Sequence, residues 1–170
     1  MTNRQKHLWD WYHHSTHHLI LTGERGIGKT TLVNWLDGAE GPFPGYRSFR
    51  EDDQTFLRSR QAGEEVLIGV RVGDRMKRIP EGFAQATDLL DQLAQTDSPI
   101  VILDEVGYME RHEPTFVEAI IRLAQKKRLL LVVRRDEHAL EGRLHELGNY
   151  DYFDLSESPS NSIAFSSDKS

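Results

Sequence analysis

Residues 18–33 read HLILTGERGIGKTTLV, and this stretch decides how the rest of the chain is interpreted. A short apolar run, Leu19 to Leu21, precedes a segment from Gly23 to Thr30 that matches G-x-x-x-x-G-K-[ST] in full. Helical spacing then continues to Leu36, before Gly38 stops it. The four fixed positions coincide by chance in about one chain per hundred of this length, and the flanking strand and helix lower that figure. We therefore predict a strand, a phosphate-binding loop and a helix.

The chemistry of phosphate binding explains the spacing of this loop. Glycines let backbone N–H groups point at a phosphate, and the following helix presents its positive end to the same anion. Lys29 is expected to reach the β- and γ-phosphates of a bound nucleotide, and Thr30 to supply a hydroxyl to Mg²⁺. Arg25 holds a variable position of the loop: it could lie beside the phosphates, although a side chain that points to solvent is the favoured interpretation. The residues predicted to bind nucleotide are Gly23, Glu24, Arg25, Gly26, Ile27, Gly28, Lys29, Thr30 and Thr31.

The composition excludes several classes of protein. The chain has 170 residues, with 27 acidic and 21 basic side chains, a net charge of −6 and no cysteine. Disulfide scaffolds and cysteine-ligated metal sites are therefore excluded. The chain shows no signal-peptide pattern and no apolar run of the roughly 18 residues that a membrane span needs, so we expect a cytoplasmic protein. The net negative charge argues against a nucleic-acid partner. A polyanionic ligand would have to be bound by a local positive site, such as this loop.

Strand and helix patterns alternate along the chain. Apolar spacing predicts helices over Phe83 to Ala94, from about Glu113, and near Asp136 to Leu147. It predicts strands at Ile100 to Leu103, Leu129 to Val133 and Tyr150 to Leu155, with short antiparallel strands at YRSFR (46–50), VLIGVRV (66–72) and MKRI (76–79). These elements indicate an α/β fold with a mostly parallel sheet, helices on both faces and short antiparallel additions.

The two ends differ in composition from the middle of the chain. We predict one domain over residues 1–155, in which 1–17 form a variable N-terminal segment, and a disordered Ser-rich tail over 156–170. The aromatic residues Trp9, Trp11 and Tyr12 are expected to pack the N-terminal segment on the domain, although they could stack a base. The histidines at positions 13, 14, 17 and 18 could hold a metal if helical, but exposed imidazoles are the favoured interpretation.

A pair of acids follows the buried strand IVIL (100–103). Asp104 and Glu105 would then lie at the carboxyl end of that strand, where open α/β sheets bind their ligands. Asp104 is expected to hold Mg²⁺, and Glu105 to act as the general base that activates a water. Strands often end in solvated acids, so this pattern gains its meaning from the complete phosphate loop before it. A water-activating carboxylate favours hydrolysis over transfer to a second substrate.

Two arginines follow the next predicted strand. Because the carboxyl ends of parallel strands meet at one edge of a sheet, Arg134 or Arg135 could reach the γ-phosphate as an arginine finger supplied in cis, and we select Arg134 as a catalytic candidate. The alternative is a pair of solvated charges, bridged to Asp136 or Glu137.

Two motifs together resemble a known family. HLILTGERGIGKTTLV (18–33) and VILDEVGYME (101–110) are similar to the small nucleoside-triphosphatases described from thermophiles and from human as the cancer-related NTPase. The resemblance covers roughly residues 18–155. It implies a P-loop, RecA-like fold of the class with a catalytic glutamate, and slow, broad hydrolysis of ATP, GTP and related triphosphates with Mg²⁺. By motif match it assigns phosphate and metal to Gly23, Gly28, Lys29 and Thr30, and metal and water to Asp104 and Glu105.

Two alternatives remain beside hydrolysis. A small-molecule or nucleotide kinase would need an acceptor site, which residues 45–80 could line. A nucleotide-dependent switch would hydrolyse slowly and bind a partner through the aromatic N-terminus and the surface from Tyr108 to His112. No base-reading motif such as Asn-Lys-x-Asp is present, and no pattern identifies a protein partner.

Overall fold

Four α-helices and nine strands form the described part of the chain, residues 1–107, 112–134, 139–157 and 164–165 of a computed structural model. The helices are α1 (Asn3–His14), α2 (Lys29–Glu40), α3 (Pro80–Leu93) and α4 (Pro114–Lys126). The strands are β1 (His18–Gly23), β2 (Gly45–Glu51), β3 (Gln54–Ser59), β4 (Glu65–Val72), β5 (Arg75–Arg78), β6 (Ile100–Val106), β7 (Arg128–Arg134), β8 (Tyr150–Asp154) and β9 (Ala164–Phe165).

One sheet contains all of these strands, in the order β5-β4-β3-β2-β6-β7-β1-β8-β9. The five central strands, from β2 to β8, are parallel to one another. The strands β3, β4 and β5 extend the sheet antiparallel at one end, and β9 does so at the other. The predicted mostly parallel sheet with antiparallel additions is confirmed. In this order β6, β7 and β1 are consecutive and parallel, so their carboxyl ends lie at one edge of the sheet.

Helices cover both faces of the sheet. On one face α3 and α4 bury a large apolar cluster, to which α4 contributes seven buried side chains. On the other face α1 and α2 bury a second cluster with the alternate residues of the central strands. Strands covered on both faces are apolar throughout, which is why β6 and β7 are read as continuous apolar runs. Full burial of a Leu, Ile or Phe side chain stabilises the folded state by about 1.5–3 kcal/mol relative to leaving it exposed.

The N-terminal segment forms an ordered helix that is part of this second layer. A capping box begins α1, because Thr2 and Gln5 exchange hydrogen bonds between side chain and backbone. Leu8 and Trp11 are buried. The Arg128 guanidinium lies 4.0 Å from the Trp11 ring centre and donates to backbone carbonyls of this segment. Trp11 therefore packs the segment on the domain.

Three segments differ from the sequence-based predictions. The helix α2 continues through Gly38 to Glu40, since Gly38 is exposed and tolerated near a helix end. The sequence does not predict β3, because the inward positions of this strand include Thr55 and Ser59, and these polar residues weaken the apolar alternation. Where one helix is predicted near 136–147, the described residues of that range form two 3₁₀-helices instead, at Ala139–Gly142 and Leu144–Leu147. Leu140 and Gly142 have positive φ, which interrupts an α-helix.

Parts of the predicted features lie outside the described residues. These are Tyr108 to Arg111 of the proposed partner surface, Arg135 to His138, and residues 158–163 and 166–170 of the predicted tail. Within that tail, Ala164–Phe165 pairs with β8 as β9. No helix in the described ranges is both long enough and apolar enough to cross a membrane.

Candidate nucleotide site

The phosphate loop joins the end of β1 to the start of α2. Gly28 caps α2 with a φ of +105°, a conformation that side chains disfavour, and it offers no side-chain cap. A Cβ at Gly23 would lie 2.9 Å from Cγ2 of Ile27, so a larger residue would disturb the turn. The first N–H groups of a helix have no partner within that helix. The loop therefore aims the positive end of α2 at the edge of the sheet where β1 ends.

Lys29 lies inside this loop. Its side chain is buried, and Nζ donates hydrogen bonds to the carbonyl oxygens of Gly23, at 2.6 Å, and Glu24, at 3.0 Å. Burial lowers the pKa of Lys29, while the negative charge of Glu105 acts in the opposite direction. The loop backbone thus holds the Lys29 ammonium group beside the N-terminus of α2. The positive charge of the lysine and the positive end of the helix therefore lie close together.

Thr30 and Asp104 link the loop to β6, which is separated from β1 by β7 in the sheet. The Thr30 hydroxyl donates to Oδ2 of Asp104 at 3.2 Å. Asp104 is 3% exposed, and burial raises its pKa, an effect that the hydrogen bond from Thr30 opposes. A hydroxyl and a carboxylate are hard oxygen donors of the kind that Mg²⁺ prefers. The donor set of these two side chains therefore fits a magnesium ion.

Glu105 and Arg134 lie at the ends of the adjacent strands β6 and β7. Arg134 donates from Nε to Oε1 of Glu105 at 2.8 Å. Glu105 is partly buried and Arg134 is exposed. Both line a cavity of about 310 Å³ together with residues of the phosphate loop. The complete lining is Arg25, Gly26, Gly28, Lys29, Thr30, Thr31, Glu105 and Arg134.

Comparison with known proteins identifies the family. A sequence profile of the family described as NTPase matches residues 49–166, which is more than half of the chain. The chain belongs to the NTPase family. The matched segment begins within β2 and includes Asp104 and Glu105 but not the phosphate loop. The geometry of the loop therefore supports the family assignment independently of the profile match.

Relatives of this NTPase are found by sequence and by structure. Two proteins named nucleoside-triphosphatase THEP1, from Archaeoglobus fulgidus and Thermofilum pendens, are each 26% identical to it. Those alignments cover 86% and 74% of this chain, and 93% and 77% of the relatives. The crystal structure of THEP1 from Aquifex aeolicus has a TM-score of 0.63 at 21% identity, over 81% of this chain and 89% of that one. The solution structure of a human cancer-related nucleoside triphosphatase has a TM-score of 0.60 at 18% identity, over 82% and 88%. The family resemblance drawn from the two motifs is confirmed.

The NTPase site brings together most, but not all, of the residues selected from sequence. Three loop residues, Gly23, Glu24 and Ile27, do not line the cavity. Gly23 and Glu24 contact Lys29 through their carbonyl oxygens, and Ile27 packs against the apolar cluster beneath α2. Arg25 is exposed as expected, yet it also lines the cavity. Asp104 does not line this cavity, but its carboxylate accepts a hydrogen bond from Thr30, which does.

One residue of the NTPase site has no signal in the sequence. Arg4 of α1 donates from Nη1 to the Ile27 carbonyl oxygen at 2.8 Å and from Nη2 to the Leu155 carbonyl oxygen at 2.9 Å. Through Arg4, the N-terminal helix is hydrogen-bonded both to the phosphate loop and to the residue that follows β8. The contact joins residues 23 positions apart and depends on how α1 packs, so no local pattern in the sequence predicts it.

The histidines near the N-terminus have partners of their own. His13 lies 3.0 Å from a Glu40 carboxylate oxygen, and His17 lies 2.8 Å from a buried Asp151 carboxylate oxygen. Nδ1 of His18 accepts the backbone N–H of Leu129 at 3.0 Å. Within the described residues, no three His, Cys, Asp or Glu side chains are grouped so that they could hold a metal ion.

Proposed function

We propose that the chain catalyses Mg²⁺-dependent hydrolysis of nucleoside triphosphates, ATP or GTP, to the diphosphate and phosphate. The observation that carries the proposal is the convergence of Lys29, Thr30, Glu105 and Arg134 on one cavity at the carboxyl edge of the sheet. Membership of the NTPase family and the printed names of the THEP1 relatives support the same activity.

Binding is assigned to the loop and its lysine. The N-terminal N–H groups of α2 and the Lys29 ammonium would both donate to the β- and γ-phosphates. Nζ of Lys29 would exchange its two carbonyl partners, at 2.6 Å and 3.0 Å, for phosphate oxygens. These contacts supply a local positive site in a chain of net charge −6.

Thr30 and Asp104 would hold magnesium. When bound, the ion would neutralise charge on the β- and γ-phosphates. Because Asp104 is buried beside Thr30, its carboxylate is fixed in position before any ligand arrives.

Glu105 is assigned the proton chemistry. Its carboxylate would accept a proton from a water whose oxygen attacks the γ-phosphorus, while the bond from that phosphorus to the β–γ bridging oxygen breaks and its electrons stay on the diphosphate. Arg134, next to Glu105, would stabilise the negative charge on the γ-phosphate oxygens during transfer.

Phosphate release from purified protein tests this proposal. We expect ATP and GTP to release inorganic phosphate with Mg²⁺ present, no release with excess EDTA, and loss of triphosphate binding in Lys29→Ala. The matched control is Arg122→Ala, which removes an exposed cation paired with Asp91 on the helical layer. Triphosphate consumption that depends on an added acceptor, or tight binding without release, would contradict hydrolysis.

A further inference from the structure

The chain that follows β8 lies against the start of the phosphate loop. The N–H of Leu155 donates to the Thr22 carbonyl oxygen at 2.9 Å, which continues the pairing of β8 with β1. Ser156, the first residue of the segment predicted as a tail, comes next. A Cβ at Gly23 would lie only 3.3 Å from the Ser156 hydroxyl oxygen and from the Leu155 Cβ. The glycine that opens the loop therefore leaves room for this close approach.

One peptide group connects Ser156 to Lys29. The Glu24 N–H donates to the Ser156 hydroxyl oxygen at 2.8 Å. The carbonyl oxygen of the same peptide group, that of Gly23, accepts from Nζ of Lys29 at 2.6 Å. A peptide group is planar, and in its trans form the N–H and the C=O point in opposite directions. The Ser156 hydroxyl therefore orients the carbonyl oxygen that holds the lysine.

The backbone that carries this hydroxyl is itself fixed. The peptide group between Leu155 and Ser156 is held at both ends, because its carbonyl oxygen accepts from Nη2 of Arg4 at 2.9 Å and its N–H donates to Oδ1 of Asp154 at 2.9 Å. Asp154 is 4% exposed. Burial lowers the pKa of Lys29, and the negative charge of Asp154 is one of the effects that oppose this shift. The turn after β8 thus lies close to the lysine as well as to the loop.

We propose that Ser156 is a positioning residue for phosphate binding, which acts on Lys29 through the peptide group between Gly23 and Glu24. The inference rests on the proposed function, in which Lys29 binds the β- and γ-phosphates. When Lys29 exchanges the Gly23 carbonyl oxygen for a phosphate, the hydrogen bond from Glu24 to Ser156 stays in place and keeps the loop in its binding shape. Triphosphate binding then costs less free energy, because the loop is ordered beforehand.

Calorimetry with Mg²⁺ and a non-hydrolysable ATP analogue, on the full chain, tests this role. Ser156→Ala removes the acceptor of the Glu24 N–H and should weaken binding about threefold to tenfold, the range expected for one lost hydrogen bond. Ser156→Thr keeps the hydroxyl and should bind as tightly as the parent. The matched control is Ser98→Ala, which removes a hydroxyl that donates to the Ile100 carbonyl oxygen at 2.8 Å, at the opposite edge of the sheet. It should leave binding unchanged.

Amide hydrogen exchange, followed by NMR without nucleotide, reports the contact itself. The Glu24 N–H should exchange faster in Ser156→Ala than in the parent, because its acceptor is gone. It should exchange at the parental rate in Ser156→Thr and in Ser98→Ala.

Three results would overturn the inference. One is parental affinity for the analogue in Ser156→Ala, which would leave the hydroxyl a purely structural contact even if Glu24 exchanged faster. Another is a loss of affinity in Ser156→Thr as large as that in Ser156→Ala. The third is an equal loss in Ser98→Ala. In each case the parent still binds the analogue, so the proposed function stands. If the parent itself does not bind the analogue, the proposed function is wrong, and this inference falls with it.

Discussion

Arg134, the last residue of β7, donates to the carboxylate of Glu105, near the end of β6, at 2.8 Å. The pair is partly exposed, and ion pairs of this kind contribute about 0–1 kcal/mol to folding. Because breaking this ion pair costs little free energy, the Arg134 guanidinium can exchange it for a contact with a γ-phosphate. In the proposed reaction the same pair orients the base and supplies the positive charge.

Replacement of Arg134 tests its role. Arg134→Ala should lower the turnover number at least about a hundredfold, because a cation at the transferring phosphate is lost, and should change KM much less. Arg134→Lys should recover part of the turnover, since it keeps the charge but loses the planar fork. Steady-state phosphate release measures both. An unchanged turnover number in Arg134→Ala would exclude the cation from the reaction.

Removing Arg4 should loosen the phosphate loop. Arg4→Met keeps the apolar stem but loses both carbonyl contacts, and charged hydrogen bonds of this kind contribute about 1.5–3 kcal/mol. We expect faster amide hydrogen exchange over residues 23–30 and about tenfold weaker binding of an ATP analogue. Lys6→Ala, which removes an exposed cation of the same helix paired with Asp10, is the control. Equal exchange in Arg4→Met and Lys6→Ala would contradict the contact.

Two helical glycines should respond in opposite ways to the same substitution. A Cβ at Gly82 of α3 would collide with the Leu67 carbonyl oxygen on β4, whereas a Cβ at Gly38 of α2 meets nothing within 4 Å. Gly82→Ala should lower the free energy of unfolding by about 1–3 kcal/mol. Gly38→Ala should raise it by about 0.5–1 kcal/mol. Urea denaturation measures both. Equal stability of Gly82→Ala and the parent would show that α3 does not approach β4 so closely.

His18 makes stability depend on pH. Burial lowers the pKa of His18, and the positive charge of Arg128 lowers it further, so the unfolded chain binds the proton more tightly. Stability is therefore full above the unfolded pKa of about 6.5 and falls as the pH drops below it, by up to about 1.4 kcal/mol per pH unit. His18→Asn keeps an acceptor for the Leu129 N–H but does not titrate.

Urea denaturation of the parent and of His18→Asn checks this dependence. Between about pH 8 and about pH 5.5, the parent should lose more free energy of unfolding than the variant. An equal loss in both proteins would show that His18 is not the group responsible.

Much of the central sheet could be predicted from the sequence, because burial on both faces forces unbroken apolar runs at β6 and β7. The phosphate loop could be predicted because its function requires fixed residue types at fixed spacing. The strand β3 could not, since Thr55 and Ser59 carry its inward face. Propensity alone does not place such a strand; its pairing with β2 does.

The candidate site divides in the same way. Asp104 and Glu105 follow an apolar strand, and Arg134 follows its neighbour, so parallel pairing predicts that they meet. Arg4 carries no such pattern. Its position depends on the packing of α1, a property of tertiary structure that no local spacing encodes.

Replacement of Glu105 by Gln tests the central claim most directly, because the two side chains have nearly the same shape and only one accepts a proton. Binding of a Mg²⁺-bound ATP analogue, measured by calorimetry, should stay close to that of the parent. Phosphate release in a single turnover should fall at least about a hundredfold, the usual range for loss of a general base. Release from Glu105→Gln at the rate of the parent would contradict the assignment of Glu105 and the mechanism built on it.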